Sequence, residues 1–399
     1  MSKVIVELSE LCEIITKGTT PSNIGAVFTE KGIKYFRSEM LTSAKYISDE
    51  GLLYISEETH EKLKRSQLKP GDILFSMAGV YLGKTAILRE CDTPANTNQA
   101  VALIRIIDEK CNREYVYYYL NLPEVVKSVN SITGQSAQPN INLKQIGNIQ
   151  IMLPERSVQD TVVTILSTYD SLIANNQKQI KLLEEAAQRL YKEWFVDLRF
   201  PGHETTPIVD GVPEGWASMA MNDIAEYING YAFKPSDWGT KGKPIIKIKE
   251  MGSGITADTP RNRGEGIPAK YIVTAGDILF SWSATLSAMI WDEEDGLLNQ
   301  HLFKVIPHNG ISREFILQSI LKALDEFSNL TTGSTMKHIQ RGKLKEVFVN
   351  VPGNVTMRKY ESISEPMREQ ILTLKKQIIL LKEARDRLLP KLMSGEIEV

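Results

Sequence analysis

Gln179-Ile180-Lys181-Leu182-Leu183-Glu184-Glu185-Ala186 is the stretch on which the architecture turns, because Gln377-Ile378-Ile379-Leu380-Leu381-Lys382-Glu383-Ala384 repeats its frame near the C-terminus. Around the first copy, Val162, Leu166, Tyr169, Ile173, Asn176, Ile180, Leu183, Ala187, Leu190 and Trp194 are separated by alternating steps of four and three. That spacing is the a and d seam of a coiled-coil helix. Around the second, Met367, Ile371, Leu374, Ile378, Leu381, Arg385, Leu388 and Leu392 keep the same seam, each in register with its counterpart from Tyr169 onward and 198 positions later. Two helices in one register imply a duplicated chain. Asn176 and Arg385 stand where an apolar seam residue belongs. Polar seam residues fix register and pairing at some cost in stability, so these two are expected to align the rods.

Working outward, the sequence divides into a first globule (1–153), a central helix (154–199), a linker (200–215), a second globule (216–351) and a C-terminal helix (352–399). In the first globule, apolar or β-branched runs at 33–36, 73–76, 86–88, 100–107 and 149–153 read as strands, and 57–65, 113–120 and 123–130 as helices. The fold class is therefore α+β. Ser157 is the expected N-cap of the central helix, with Asp160 in its first turn. About 40 residues at 1.5 Å each make a rod of roughly 60 Å, which Phe200-Pro201-Gly202 stops. The second globule repeats the frame of the first. Gly71-Asp72-Ile73-Leu74-Phe75-Ser76 recurs as Gly276-Asp277-Ile278-Leu279-Phe280-Ser281, Glu39-Met40 as Glu250-Met251, and Asn98-Gln99 as Asn299-Gln300. A helix over 312–329 is expected in place of the 113–130 helices. Pro366 departs from the repeat, and because an interior proline costs a hydrogen bond, the second rod is expected to begin cleanly only there.

The 399 residues suffice for two or three domains, and 42% hydrophobic with 24% charged is the composition of a globular chain. Cys12, Cys91 and Cys111 have no paired spacing and the five histidines fall singly, so neither a disulfide framework nor a zinc site is expected. No segment approaches the roughly 18 consecutive apolar residues of a membrane span, and a reducing cytoplasm is the expected compartment. The net charge of −2 weighs against bulk binding to nucleic acid, which favours a basic excess. Any such role must come from local basic faces or be shared with a partner.

Ala78-Gly79-Val80-Tyr81-Leu82-Gly83-Lys84-Thr85 loosely fits a phosphate loop. That loop must open a helix, whereas Ala86-Ile87-Leu88 reads as a returning strand, so a β-hairpin with Lys84 at its tip is expected. No strand is followed by G-x-G-x-x-G, no Asn-Pro-Pro-aromatic or Asp-Pro-Pro-aromatic tetrapeptide for a flipped base is present, and no carboxylates are spaced like a nuclease site. Catalysis by this chain is not expected. Basic residues crowd three segments: Lys62, Lys64, Arg65 and Lys69; Lys234, Lys241, Lys243, Lys247 and Lys249; and Lys337, His338, Arg341, Lys343 and Lys345. Each run reads either as a solvated face or as DNA contact. Gln135, Gln138 and Asn140, in an amide-rich segment able to read adenine edges, read either as base contacts or as polar turns.

Two unlike globules on one frame, each followed by a heptad helix, resemble the specificity subunit of Type I restriction-modification systems. The motifs that carry the resemblance are Thr133-Gly134-Gln135-Ser136-Ala137-Gln138-Pro139-Asn140-Ile141-Asn142, Leu190-Tyr191-Lys192-Glu193-Trp194-Phe195-Val196-Asp197, Pro213-Glu214-Gly215-Trp216 and Thr332-Gly333-Ser334-Thr335-Met336-Lys337-His338-Ile339. The resemblance implies two target-recognition domains, each reading half of a split DNA site, and two antiparallel helices that space them about one DNA turn, roughly 34 Å, apart. It also implies modification subunits that bring S-adenosylmethionine and methylate adenine, and ATP-driven restriction subunits that cut unmodified DNA. A coiled-coil scaffold whose globules bind proteins, and a degenerate nucleoside-triphosphatase resting on Lys84, are the competing functions.

Overall fold

In a computed structural model the described residues are 3–42, 44–49, 51–132, 139–329 and 341–399. The chain forms two compact units: residues 1–175 with 378–399, and residues 176–377. Each unit therefore takes one globule and a section of both rods.

In the first unit, strands Cys12–Lys17, Val101–Ile106, Ile73–Ser76 and Thr85–Ile87 form an antiparallel sheet in that spatial order. Strands Leu53–Ile55, Ile33–Phe36, Ala95–Thr97 and Gln67–Leu68 form a second, mixed sheet, with Ile33–Phe36 and Ala95–Thr97 parallel. Val4–Glu7 pairs with Gln150–Leu153 just before the first rod. The second unit repeats the plan. Its antiparallel sheet runs Ala225–Asn229, Leu302–Pro307, Ile278–Ser281, Ser287–Ile290, its mixed sheet Arg261–Asn262, Lys243–Ile246, Gly296–Leu298, Ile272–Val273, and its end pair is Ala217–Ala220 with Phe348–Val351. The expected helix over 312–329 is two, Arg313–Lys322 and Leu324–Asn329, with Ser312 capping the first through its hydroxyl.

The rods close each core. In the first unit Ile73, Phe75, Ile104, Tyr115 and Val116 pack in one cluster with Val162 and Leu166 of the first rod and Leu389 and Leu392 of the second. In the second unit Phe195, with Trp194, Phe315, Trp216 and Tyr360 around it, centres the cluster. Along the seam Val162, Leu166, Ile173, Asn176, Ala187, Trp194, Leu374, Ile378 and Leu392 are buried, and Tyr169, Ile180, Leu183, Leu190, Met367, Ile371, Leu381, Arg385 and Leu388 are partly buried. Both polar seam residues find partners on the opposite rod. Arg385 meets Asp170 at 2.6 Å in the first unit, and Asn176 Nδ2 donates to Gln377 Oε1 at 3.1 Å in the second. Within each unit the two helices run antiparallel.

Two helix boundaries differ from expectation. The first rod starts at Arg156, and the Glu155 carbonyl accepts from the Val158 and Gln159 amides, so Ser157 lies inside the helix rather than capping it. The second rod runs unbroken over Asn354–Ser394, through Pro366 and Pro390. Pro366 is exposed, where water can serve the Ser362 carbonyl that loses its donor, so the proline is tolerated. Among the described residues no helix is long and apolar enough to cross a membrane.

Candidate nucleic-acid interface

Antiparallel pairing collects loops at the sheet ends. In the first globule the chain leaves the four-stranded sheet at Lys17 and Ser76 and re-enters it at Thr85 and Val101, so segments 18–20, 77–84 and 98–100 share one end. Their backbones are tied together. Thr19 N–H donates to Thr97 O at 3.1 Å, Met77 N–H to Ala100 O at 2.8 Å, and Gly79 N–H to Pro139 O at 3.0 Å, while Ile141 N–H donates to Met77 O at 2.9 Å. Gly18 is required there, because a Cβ would stand 1.9 Å from Thr97 O. Arg65 Nη2 donates to Thr19 Oγ1 at 3.3 Å, and Thr20 Oγ1 donates to Gln99 Oε1. Tyr35 Oη donates to Thr19 O at 3.1 Å, and burial pushes that phenol up to about 12. One sheet end thus gathers a guanidinium, two hydroxyls, an amide, and the exposed Lys84 and Asn140.

The second globule builds the same end with other side chains. A Cβ on Gly230 would lie 2.1 Å from Asn299 O, and Tyr231 N–H donates to Leu298 O at 2.8 Å. Beside this crossing lie Gln300 and His301 after strand Gly296–Leu298, and Trp282, whose ring centroid is 5.9 Å from that of His301. Tyr231 stacks edge-on against Tyr271 at 5.5 Å, and Lys270 Nζ sits 5.0 Å from the Tyr271 ring centre. Hydroxyl, amide and guanidinium groups on rigid backbone are the means by which proteins read base edges, and aromatic faces add stacking.

The expected site residues scatter across this frame. Arg65, Lys84 and Asn140 lie at the loop end of the first sheet. Lys62 is exposed and pairs with Glu58 at 2.6 Å, and Lys64 is exposed next to Arg65. Lys234 follows the Gly230-Tyr231 crossing, its amide held by Asp237. Lys241 and Lys243 are away from it: Ile246, at the far end of Lys243's strand, is the residue that accepts from Asn299, and Lys243 pairs with Asp295 at 3.3 Å. Arg341 lines a hollow with Glu226, Tyr227 and His308, at the end of the sheet opposite Gln300. Gln135, Gln138, Lys337 and His338 lie outside the described residues. Thr19, Thr20, Gln99, Tyr231, Lys270 and Gln300 were missed, although the repeated Asn98-Gln99 and Asn299-Gln300 pairs marked the place.

Lys84 is no part of a phosphate loop. Thr85–Ile87 pairs antiparallel with Ile73–Ser76, so no helix N-terminus follows the lysine. Its side chain borders a cavity of about 250 Å³ with Tyr117, Asn121, Arg385 and Asp386.

The family model of the Type I restriction modification DNA specificity domain matches residues 2–185 and 213–356. The MjaIX specificity subunit of a Type I restriction enzyme from Methanocaldococcus jannaschii is 24% identical over 405 residues, covering 96% of this chain and 91% of that protein. The HindI specificity subunit of Haemophilus influenzae is 20% identical, covering 84% and 88%. The crystal structure of a Type I restriction-modification S subunit from M. genitalium shares the fold with a TM-score of 0.56 at 14% identity, covering 98% of this chain and 96% of that one. With the family model matched across both globules, the chain belongs to the Type I restriction-modification DNA specificity family.

Proposed function

We propose that this chain is the sequence-specificity subunit of a Type I restriction-modification complex in which each globule reads one half of a split DNA site and the paired rods set the gap. The observation that carries this is the duplicated sheet end. Arg65 and Thr19 in one globule, and Lys270 and Tyr231 in the other, stand on the same backbone crossing with different side chains, beside the shared Gln99 and Gln300. Two frames alike in backbone and unlike in side chain suit two readers of two different sequences. The chain does no chemistry itself. Modification subunits supply S-adenosylmethionine and methylate an adenine in each half-site, and restriction subunits supply the ATP-driven cutting. Those partners also clamp the phosphates, which removes the difficulty of a net charge of −2.

Co-expression with modification subunits, followed by single-molecule sequencing of a plasmid library, tests this directly. Paired adenine methylation in one split motif of fixed gap is the expected result. A stable complex that modifies no motif would sink the proposal and favour a protein-binding scaffold.

A further inference from the structure

The two sheet ends match bond for bond. Gly18 N–H donates to Val101 O at 3.3 Å, as Gly230 N–H does to Leu302 O at 3.1 Å. Thr19 N–H donates to Thr97 O at 3.1 Å, and Tyr231 N–H to Leu298 O at 2.8 Å. Val101 N–H closes a turn on Asn98 O at 3.2 Å, and Leu302 N–H closes one on Asn299 O at 3.0 Å. Gln99 and Gln300 are therefore the second residues of equivalent turns, Asn98-Gln99-Ala100-Val101 and Asn299-Gln300-His301-Leu302. Each turn carries the chain from the mixed sheet into the antiparallel one.

The other repeated residues build the frame. Asp72 and Asp277 close equivalent turns by accepting from the amides of Lys69 and Thr274, both at 2.7 Å. Ser76 and Ser281 are fully buried. Asn98 Oδ1 accepts from the Ala100 amide at 3.2 Å, and Asn299 is 5% exposed. Glu39 and Glu250 each hold the residue after an equivalent strand, Arg37 by its guanidinium at 3.0 Å and Lys247 by its amide at 3.1 Å. The glutamines fit no such account. Gln99 is exposed and Gln300 half-buried, and their neighbours differ. Gln99 Oε1 accepts from Thr20 Oγ1, whereas Gln300 Nε2 lies 3.5 Å from His301 Nε2. A side chain kept for packing would keep its partner. One that repeats on the same backbone among unlike neighbours is kept for something it meets outside the chain.

We propose that Gln99 and Gln300 read the same base pair in the two half-sites, an A·T pair set at one distance from the methylated adenine of its own half. This rests on the half-site function proposed above. A carboxamide presents a donor and an acceptor side by side, which match N7 and the N6 amino group of adenine in the major groove. Thr20 occupies one lone pair of the Gln99 oxygen and His301 faces the Gln300 amide nitrogen, so each carboxamide keeps a lone pair and an N–H for a base. The shared pair is not the methylated one, whose N6 is the reacting atom. Positions in which the half-sites differ fall to the groups that change about the crossing, Thr19 to Tyr231 and Thr20 to Ala232.

The test assembles the full chain with modification subunits and maps methylated adenines across a plasmid library. Both halves of the native motif are expected to hold an A·T pair at the same distance from, and on the same side of, their methylated adenine. Q99A is expected to lose roughly tenfold discrimination at that position in one half, and Q300A the same in the other half. Q99E keeps the side-chain length but cannot donate to N7. It is expected to turn the position toward cytosine, whose amino group a carboxylate accepts, a switch that a purely structural glutamine would not produce. Halves that share no such pair, variants that relax positions at unequal distances, or variants that leave the motif unaltered overturn the shared reader while half-site reading stands. A native chain that methylates no motif overturns both.

Discussion

The rods and the sheet ends of this chain are both duplicated, but they repeat different things. Along the rods the side chains repeat: Ile180 and Ile378, Leu183 and Leu381, Leu190 and Leu388 occupy equivalent seam positions and are all at least partly buried. At the sheet ends the backbone repeats, and apart from the shared Asn98-Gln99 and Asn299-Gln300 pairs the side chains around the crossing change. Gly18 and Gly230 make the same close crossing over Thr97 and Asn299, while Thr19 becomes Tyr231. A packed helix face is specified by the shapes that fill it. A reading surface needs a fixed scaffold and free choice of the groups placed on it. The difference between the two regions is itself a functional signal.

The comparison predicts its largest effects where the rods close the cores. Phe195 and Met393 are repeat equivalents, 4% and 3% exposed, but Phe195 is itself an aromatic ring, packed on Phe315 and Tyr360 at centroid distances of 4.9 and 4.8 Å. Phe195→Ala should cost about 3–5 kcal/mol and Met393→Ala about 2 kcal/mol in urea unfolding. Equal losses would show that the rod ends are packed alike despite the different residues. Along one helix, Leu166→Ala, at 0% exposed, should cost about 2–5 kcal/mol. Leu182→Ala, at 54% exposed, should stay within about 0.5 kcal/mol. A large loss at Leu182 would mean that its face of the rod is covered.

At the sheet ends the expected losses are smaller and fall on recognition rather than folding. Arg65→Ala and Gln300→Ala should each relax specificity by about 1–3 kcal/mol at one base pair, each in a different half of the split motif. Methylation mapping reads this as a degenerate position on one side only. Lys84→Ala should instead weaken binding evenly across sequences and lower the salt slope by about one, measured by titrating affinity against salt. If Arg65→Ala behaves like Lys84→Ala, Arg65 contacts phosphate and the first reading surface lies elsewhere.

How much was legible in the sequence follows the same division. The seam, the Ile33–Phe36 and Ile73–Ser76 strands and the Arg113–Leu120 helix were readable because periodicity and local turn residues report burial directly. The unbroken second rod was not, since its tolerance of Pro366 depends on exposure. Nor was the separation of Arg341 from Gln300, because a run of like charges gives no hint of which end of a sheet it occupies. Thr19 and Arg65 are 46 residues apart and meet only through the crossing at Gly18. Such a contact is set by tertiary closure, which leaves no spacing in the chain.

The smallest expected effect separates the two globule–rod junctions by pH. Burial raises the Glu314 carboxyl above its ordinary value of 4.5, offset in part by Gln318 and Arg368 and reinforced by the carboxylates of Glu365 and Glu184. Between the ordinary and the raised value the folded chain holds a proton that the unfolded chain has released. Stability must therefore fall as pH climbs through that window and level off above it. Glu314→Gln removes the titrating group, so the wild-type minus variant stability, measured by urea unfolding from pH 4 upward, should decline with rising pH and then become flat. A difference that rises with pH would mean that Glu314 is held ionised by Arg368 more strongly than burial disfavours it. The second junction would then be a buried ion pair, like the Asp170–Arg385 contact of the first.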